Sequence, residues 1–510
     1  MDKKTILTMA MLVIASTAML HGPIAYAGSK SCDVRVNNTR EKLLECVTLD
    51  GVRQHQAALQ AVADANGGNR QAGTSGYDAS VDYVVDTLES AGYTPELHEF
   101  DFLFLPPSTL TQTAPTEIEH ETGTFTGSGA GTVAGNVIPV DLNFADPASS
   151  TSGCLVSAAV YFNLDFSGPN DIALIQRGGC FFSEKAAIAQ FFGAEAVVIM
   201  NNGRPGQTEL IVSNAATFPD GSPSNLSIPV VGASYSSGVS LAQSGSTAFV
   251  DAPAVTQVTQ VNVIAELPGA NPDNIVMVGG HLDSVAAGPG VQDNGSANAA
   301  VLETAVQMAK VKPRNTVRFA WWGAEEAGLV GSSAYVLDLT PEERDRIALY
   351  LNFDMIGSPN HVFFVYDGDD SDGVGAGPGP AGSAEIEALF EEFYTQFGVP
   401  YKGTDFSGRS DYGPFIFFGI PAGGLFTGAE GIKTPGEAAL WGGTAGDAYD
   451  PCYHLACDTF DNINLFALDV NSKAVAFATL QYAMNTESIN GVRGKGNFKW
   501  PNPNEEAIME

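Results

Sequence analysis

The stretch 275–326 constrains the fold more than any other part of the chain, because a helical pattern lies between two short apolar runs. Residues 275–278 are typical of a buried strand, and two glycines and His281 follow at once. Apolar residues then recur at helical spacing from Ser296, and 316–322 is a second apolar run. This order of strand, helix and strand predicts a parallel sheet with crossover helices.

Each predicted strand in this region stops at a residue that can bind a metal ion. A third apolar run, 349–353, also ends at such a residue, and one further carboxylate lies at the loop-to-helix junction. The candidates are His281, Asp293, Glu325, Glu326 and Asp354. The carboxyl ends of parallel strands share one edge of a sheet, so these side chains are expected to converge there. Four carboxylates in a small site need a cation. With a further histidine expected downstream, this set of nitrogen and oxygen ligands suits zinc, with two ions if a carboxylate bridges them.

Simpler interpretations compete with this one. His281 alone would more often be a packed histidine, but Asp293 follows it after twelve residues, which favours a ligand pair. Glu325 and Glu326 would normally be a solvated pair that points apart. At the end of an apolar strand, in a GAEEAG turn, unpaired carboxylates would be costly, so the ligand interpretation is favoured there too.

Seven short motifs occur in one order along the chain: HLDSV, QDNGSANAA, WGAEEAGLVGS, LNFDMIG, SGRSDY, GLFTGAEG and DPCYHLACDT. Together they resemble peptidase family M28, the secreted co-catalytic zinc aminopeptidases with a phosphorylase/hydrolase-like fold. The resemblance covers about 43–485, apart from an insert. It implies an α/β fold in three layers, in which a mixed sheet carries helices on both faces.

The resemblance also implies roles for individual residues. One zinc ion would be held by His281 and Asp354, the other by Glu326 and His454, and Asp293 would bridge the two. Glu325 would be the general base, which takes a proton from the metal-bridging water and passes it to the leaving amine. Tyr453 would donate its hydroxyl to the developing oxyanion, whereas a tyrosine beside a cysteine is more often a packing residue.

Four further residues near the motifs have two interpretations each. Arg409, in SGRSDY, resembles a residue that positions the substrate's free terminus and first carbonyl, with a surface salt bridge as the alternative. Met355 and Phe426 match residues near the apolar side-chain pocket of such aminopeptidases, and would otherwise be core. Asp283, two residues after His281, is expected to orient the imidazole, with a helix cap or a surface role as the alternative.

The first 27 residues have the pattern of a secretory signal peptide. Lys3 and Lys4 precede an apolar core at 6–20, and Ala25-Tyr26-Ala27 is a small-residue cleavage signal. A membrane anchor is the alternative, but the apolar run is shorter than the roughly 20 residues that span a bilayer. The mature protein is therefore expected to begin at Gly28, outside the cell or in the periplasm.

The composition excludes some partners. The chain has 24 basic and 58 acidic residues and a formal net charge of −34, which would repel nucleic acid and anionic membranes. Peptides are the expected substrates, and the protein is expected to be a monomer that is not membrane-bound after signal cleavage.

The six cysteines all lie downstream of the signal, which is typical of disulfides in an oxidising compartment. Six cysteines allow fifteen pairings. Sequence proximity favours Cys32–Cys46, Cys154–Cys180 and Cys452–Cys457. A cysteine metal site is a weak alternative, because no C-x-x-C pair occurs.

An insert with a different character divides the chain. Glycine, serine, alanine and short strands dominate 123–255, where a strand at 172–176, a helix at 182–192 and a strand at 196–200 are predicted. This unit resembles the protease-associated (PA) domain, a small β-rich α/β domain. The expected organisation is a signal peptide (1–27), a discontinuous peptidase domain (28–122 and 256–486), the PA insert (123–255) and a polar tail (487–510) that is frayed or processed.

The rest of the sequence predicts further helices, strands and a loop, and the surroundings of the other histidines. Helices are expected at 51–66, 384–397 and 472–484, strands at 94–102 and 415–418, and a surface loop at 367–382. His55 and His98 are expected to be surface or packing residues and His120 to be exposed, while His361 has no expected role.

The sequence as a whole predicts an exported two-zinc aminopeptidase that removes large apolar residues from peptide amino termini. A carboxypeptidase of the same family is the first alternative, although it needs cationic groups for a substrate carboxylate and only Arg409 lies near the motifs. The second alternative is a binding protein that kept the fold and lost catalysis, which the complete ligand set disfavours.

Overall fold

The computed structural model describes residues 32, 34–154, 166–375 and 377–499. The expected signal peptide at 1–27 and the end of the expected tail at 500–510 lie outside the described residues. The chain forms two units, each built on its own sheet: a large unit (34–104 and 256–499) and a small unit (109–252).

The elements follow in chain order. The first part of the large unit contains α1 (Arg40–Cys46), α2 (Leu49–Ala65), α3 (Ser75–Ala91) and β1 (Glu96–Phe104). The small unit contains β2 (Thr109–Ala114), β3 (Ile118–His120), β4 (Gly131–Val140), a 3-10 turn (Pro147–Ser149), β5 (Ile172–Gln176), α4 (Phe182–Phe191), β6 (Ala196–Met200), β7 (Val230–Ala233), α5 (Tyr235–Leu241) and β8 (Thr247–Ala252). The second part of the large unit contains β9 (Thr256–Leu267), β10 (Asn271–His281), α6 (Gly295–Met308), β11 (Asn315–Trp322), α7 (Val330–Asp338), α8 (Pro341–Asp345), β12 (Ile347–Phe353), β13 (Phe364–Tyr366), α9 (Ser383–Phe397), β14 (Lys402–Thr404), α10 (Tyr412–Phe417), β15 (Ala422–Phe426), α11 (Pro435–Trp441), α12 (Leu465–Met484), α13 (Glu487–Asn490) and a 3-10 turn (Gly496–Phe498).

The large sheet has eight strands in the order β1-β9-β11-β10-β12-β15-β13-β14. β11, β10, β12 and β15 run parallel, while β9 pairs antiparallel with both β1 and β11. One hydrophobic cluster packs α6, α9 and α12 on one face, and a second packs α7 and α10 on the other. The sequence prediction of a three-layer mixed α/β fold is therefore confirmed.

α6 and α12 lie in the interior because their surfaces are apolar almost all round. Every residue of α6 except Val306 is buried, and α12 packs against it. The amide side chains of Asn294 and Asn464 cap the two helices by accepting hydrogen bonds from the third backbone N–H that follows. α12 begins at Leu465, earlier than the predicted 472, because its first turn is partly solvent-exposed and lacks a clear apolar period.

The small unit is a seven-stranded sheet in the order β3-β2-β8-β4-β5-β6-β7. Its two hydrophobic clusters contain only residues of 110–252, so among the described residues it has a core of its own. The sheet begins at Thr109, upstream of the expected boundary at 123, because β2 pairs with both β3 and β8. His120, expected to be exposed, is 8% exposed, and its ring contacts Gln112.

Two predictions about the large unit are wrong. Residues 415–418 were expected to be a strand but belong to α10 and its end; Phe415 is buried and Phe417 is 83% exposed. A four-residue apolar run does not distinguish a strand from a helical turn. Residues 487–499 were expected to be frayed, but Phe498 is 2% exposed, and its carbonyl accepts a hydrogen bond from Gln481.

Three disulfides, Cys32–Cys46, Cys154–Cys180 and Cys452–Cys457, join the pairs that sequence proximity favours. None of the helices in the described part of the chain has both the length and the apolar character needed to cross a bilayer.

Candidate metal centre

The ends of the central parallel strands bring the predicted ligands together. His281 is the last residue of β10 and pairs in register with Trp322, the last residue of β11. Asp354 directly follows β12, the other neighbour of β10. Ala324, Met355 and His454 all have positive φ, at 55°, 49° and 57°. Such backbone is unfavourable for residues with a side chain and is common at functional sites.

The first group of ligand atoms contains His281, Asp293 and Asp354. His281 Nε2 lies 3.3 Å from Asp293 Oδ1 and 3.3 Å from Asp354 Oδ1. All three residues are buried, and their ligand atoms lie within 4.8 Å of one another.

The second group contains Asp293, Glu326 and His454. His454 Nε2 lies 3.2 Å from Asp293 Oδ2 and 3.0 Å from Glu326 Oε2. The two groups therefore share Asp293, which turns one carboxylate oxygen toward each histidine.

The spacing of these atoms fits zinc. Bonds of about 2.0–2.1 Å in a tetrahedron place neighbouring ligand atoms about 3.3 Å apart, close to the four separations of 3.0–3.3 Å. Glu326 Oε1 and Asp354 Oδ1 are buried and accept no hydrogen bond in the described residues. Buried carboxylate oxygens that accept no hydrogen bond are costly, and a bound cation would stabilise them.

The protonation of the isolated side chains shows how crowded the carboxylates are. Burial and the charge of Asp293 together raise the pKa of Glu326 to about 7. Burial would lower the pKa of His454, but hydrogen bonds to Asp293 and Glu326 outweigh burial and raise this pKa to about 10. A proton on His454 therefore supplies the positive charge that a bound metal ion would supply at the same place.

Glu325 lies beside the ligands without belonging to either group. One of its carboxylate oxygens lies within 4.8 Å of ligand atoms of His281 and Glu326. Burial raises the pKa of Glu325 well above its usual value. A buried carboxyl with a raised pKa is suited to accepting a proton and releasing it again.

Asp283 holds the turn that carries the two glutamates. Its carboxylate oxygens accept the backbone N–H groups of Glu325 (3.2 Å) and Glu326 (3.3 Å). Its backbone carbonyl lies 3.2 Å from His281 Nδ1, and this contact leaves Nε2 free for a ligand. Asp283 Oδ1 also lies 3.5 Å from His281 Nδ1, so Asp283 contacts the imidazole through its carbonyl and its carboxylate and supports the neighbouring turn as well.

The structure adds supporting residues that the sequence analysis did not single out. The Asp458 carboxylate accepts the backbone N–H groups of Gln292 (2.8 Å) and Asp293 (3.0 Å), and Ser410 Oγ donates to Asp354 Oδ2 (2.7 Å). Both residues lie in quoted motifs, DPCYHLACDT and SGRSDY, so motif membership was the available signal.

Arg70 also supports the site but has no such signal. It is fully buried, and its guanidinium donates to the carbonyls of Leu282, Pro289 and Gly290, in the loop between His281 and Asp293. Burial lowers its pKa to about 10, so Arg70 remains a cation behind the acidic site.

A cavity of about 190 Å³ opens over the ligands. It is lined by all five predicted ligands and by Glu325, Tyr453, Arg409, Met355 and Phe426. The Tyr453 ring stacks on His454, with 3.8 Å between ring centroids. The Arg409 side chain is 73% exposed and lies 3.4 Å from Glu430, so this residue both lines the cavity and has the surface contact named as its alternative.

The other histidines of the described residues do not line the cavity. His55 is buried against Tyr83 and Glu303, and His98 contacts Asp338 at the edge of the large sheet. His361 is buried and packs against Phe363.

Comparison with known proteins agrees with this geometry. The sequence pattern of Peptidase family M28 matches residues 262–479, and that of the PA domain matches 133–241. An aminopeptidase of Pseudomonas aeruginosa is 45% identical over 458 residues, which cover 88% of this chain and 83% of the relative. Leucine aminopeptidase 2 of Arthroderma otae is 39% identical over 432 residues, which cover 81% of this chain and 80% of the relative.

A solved structure extends the comparison. The aminopeptidase from Aneurinibacillus sp. strain AM-1 superimposes with a TM-score of 0.56 at 26% identity, covering 87% of this chain and 96% of that one. Together with the shared motifs and the two sheets, these similarities show that the chain belongs to peptidase family M28 and carries an inserted PA domain.

Proposed function

We propose that this protein is a secreted aminopeptidase that uses two zinc ions to remove large apolar residues from the amino termini of peptides. The observation that carries the proposal is the position of Asp293, whose two carboxylate oxygens face two separate ligand groups beside the Glu325 carboxylate.

The chemistry is divided among the residues of the site. Zinc, when bound by His281 and Asp354 on one side and Glu326 and His454 on the other, supplies an acidified water and a polarised carbonyl. Glu325 takes the proton of the attacking water and returns it to the amine that leaves. The Tyr453 hydroxyl donates to the oxygen of the substrate carbonyl as its negative charge develops.

The lining of the cavity favours a substrate with a free amine. The cavity is lined by the carboxylates of the predicted ligands and by those of Asp405 and Glu430. Arg409 is the only Lys or Arg among the described lining residues. Carboxylates attract an ammonium group, so an amino terminus suits this cavity better than a carboxyl terminus does. Met355 and Phe426 provide apolar surface for the first side chain, and the name of the fungal relative, leucine aminopeptidase 2, agrees with this.

The expected location and assembly belong to the same proposal. Three disulfides are typical of proteins that fold outside the cytosol. We infer export by the signal peptide at 1–27 and a monomeric mature protein. Mass spectrometry of the amino terminus in the culture medium and light scattering of the purified chain test these two statements.

The central experiment compares substrates that differ in the amino terminus or in the first side chain. Leucine p-nitroanilide should be hydrolysed, its N-acetylated form should not, and a chelator should abolish the activity until zinc is restored. Glutamate p-nitroanilide should react more slowly, since its side chain meets an apolar wall.

Three outcomes contradict the proposal. Hydrolysis of N-acetylated peptides from their carboxyl end would identify a carboxypeptidase. A protein that bound less than one zinc ion and hydrolysed no anilide would favour a binding function. Binding of a single zinc ion per active chain would remove Asp293 as a bridge.

A further inference from the structure

A second group of acidic side chains lies away from the candidate metal centre, where β13 ends. Asp367 directly follows β13, Asp369 lies in the next loop, and Glu387 lies in the second turn of α9. Carboxylate oxygens of the three residues lie within 4.8 Å of one another. Two of the three side chains are buried: Asp367 is 1% exposed and Glu387 is 4% exposed.

Asp367 is the unusual member of this group. Its Oδ2 accepts the backbone N–H of Asp372 (3.1 Å), but its Oδ1 is buried and has no hydrogen-bond partner in the described residues. An ionised oxygen in this position costs free energy unless a cation contacts it. The unpartnered oxygen therefore indicates a ligand.

Glu387 lies among other acidic groups. Its Oε2 accepts the backbone N–H groups of Gly368 (2.8 Å) and Asp369 (3.2 Å). Burial, together with the charges of Asp369, Asp367 and Glu391, raises the pKa of Glu387 to about 8. Every one of these neighbouring charges is a carboxylate.

We propose that Asp367, Asp369 and Glu387 bind one calcium ion. Calcium prefers carboxylate and carbonyl oxygens and tolerates an irregular shell of six to eight ligands. Zinc is disfavoured, because the group contains neither a histidine nor a cysteine. Two aspartates separated by one residue on a glycine-rich loop, joined by a glutamate from a helix, can surround such an ion while backbone carbonyls and water complete its shell.

The position of this site gives the ion a structural role. Tyr366, which precedes Asp367, lines the cavity of the candidate metal centre. β14 pairs with β13, and Thr404 and Asp405 at its end line the same cavity. Calcium would hold the loop after β13 and the start of α9 together and so fix one wall of the cavity. The proposal does not depend on the identity of the substrate.

The test uses the full chain, loaded with zinc and freed of calcium by gel filtration. Equilibrium dialysis with radioactive calcium should show one ion per chain with a dissociation constant below about 1 mM, the range of extracellular calcium modules. Saturating calcium should raise the melting temperature by about 2–5 °C. Equal magnesium should produce neither effect, because it demands a stricter octahedral shell.

Variants locate the ion. Asp367→Asn and Glu387→Gln should each abolish the bound calcium and the rise in melting temperature, with zinc content unchanged. Glu392→Gln is the matched control, because Glu392 lies on the same helix, is exposed and contacts Gln396 instead. It should bind calcium as the wild type does.

The proposal is overturned if the wild-type chain binds no calcium at 1 mM under these conditions. It is also overturned if Glu387→Gln and Glu392→Gln bind calcium equally, since the ion would then lie elsewhere on the acidic surface. If either conservative variant fails to fold, the number of calcium ions that the wild-type chain binds and the comparison of calcium with magnesium still decide the outcome.

Discussion

Glu325 and Glu326 are adjacent in the chain but face different tasks. Both backbone N–H groups are held by the Asp283 carboxylate, and Ala324 precedes them with a φ of 55°. This turn directs Glu326 Oε2 to 3.0 Å from His454, while Glu325 stays outside the two groups that share Asp293. The same substitution at the two positions should therefore have different consequences.

Glu325→Ala should retain two zinc ions and lose nearly all turnover, because it removes the proton carrier and no ligand. The expected decrease in kcat is about 10²–10⁴-fold, the usual contribution of a general base. Steady-state kinetics and elemental analysis of zinc on the same sample check this. Glu326→Ala is the matched control and should lose zinc as well. Near-native rates in Glu325→Ala would remove Glu325 from the mechanism.

His361 should make the stability of the protein depend on pH. It is 6% exposed, it packs against Phe363, and the backbone carbonyl of His361 accepts a hydrogen bond from Lys433. Burial, together with the charge of Lys433, lowers the pKa of His361 to about 4. Between pH 6.5 and pH 4 the unfolded chain therefore binds more protons at His361 than the folded chain does. The contribution of His361 to the free energy of unfolding is fully present above pH 6.5 and is lost as the pH falls to 4.

His361→Phe should remove this dependence, because phenylalanine fits the aromatic surroundings and does not titrate. The contribution lost by the wild type at low pH is at most about 3 kcal/mol. Urea unfolding of both proteins at pH 7 and pH 4.5 measures it, and the variant should lose less stability than the wild type does. Equal losses in the two proteins would show that His361 titrates normally.

At the scale of elements, the segment between Cys452 and Cys457 carries a candidate ligand, His454, on irregular backbone. His454 has a φ of 57°, and the disulfide closes the segment around it. Such a short closed loop limits the positions that the imidazole can sample, which favours metal binding by pre-organisation.

The double variant Cys452→Ser/Cys457→Ser should fold and bind one zinc ion about tenfold more weakly, the lower end of the effects seen when the support of a ligand is removed. Competition with a coloured chelator measures the affinity. Cys32→Ser/Cys46→Ser is the control, because this disulfide joins the start of the large unit to α1 and does not line the cavity. If both double variants held zinc with equal affinity, the loop would have no role in positioning His454.

At the scale of the whole molecule, the large and small units are connected by two short segments that lie side by side. Phe104, at the end of β1, pairs with Thr256, at the start of β9, and Thr109 pairs with Asp251 in the small unit. The hydrophobic clusters of the described residues each lie within one unit. The small unit is thus attached to the end of a two-stranded ribbon and has a core of its own.

Replacement of residues 105–255 by Asn-Gly, which suits a tight hairpin turn, should leave a folded, zinc-binding large unit. Its hydrolysis of a small anilide should remain within about tenfold of the full chain, because none of the described residues of the small unit lines the cavity. Circular dichroism, zinc content and anilide kinetics check this. A variant that cannot fold or bind zinc would show that the two units form one cooperative structure.

The sequence by itself determined the central architecture and the composition of the site. Apolar runs followed within three residues by His281, Glu325 and Asp354 predicted parallel strands whose carboxyl ends meet, and the structure brings these residues to one edge. This inference succeeds because the geometry of parallel strands requires that edge, whatever the loops between them do.

Only the tertiary structure decided the features that depend on distant parts of the chain. Residues 415–418 lie in and after a helix because Phe415 stacks on Tyr350, at 4.2 Å between centroids, and a short apolar run has no conformation of its own. Phe498 is buried by the guanidinium of Arg40 and by α12, although the residues around it are polar.

The supports of the metal centre belong to the same class. Arg70 lies more than 200 positions from the carbonyls that it contacts, and Asp458 holds Asp293 from 165 positions away. The local sequence pattern indicates which face of a segment is apolar and buried. A buried charge, by contrast, is stabilised by residues from distant parts of the chain, which only folding brings close to it. For that reason the convergence of the candidate ligands could be predicted from the sequence, while the residues that support them could be found only from the fold.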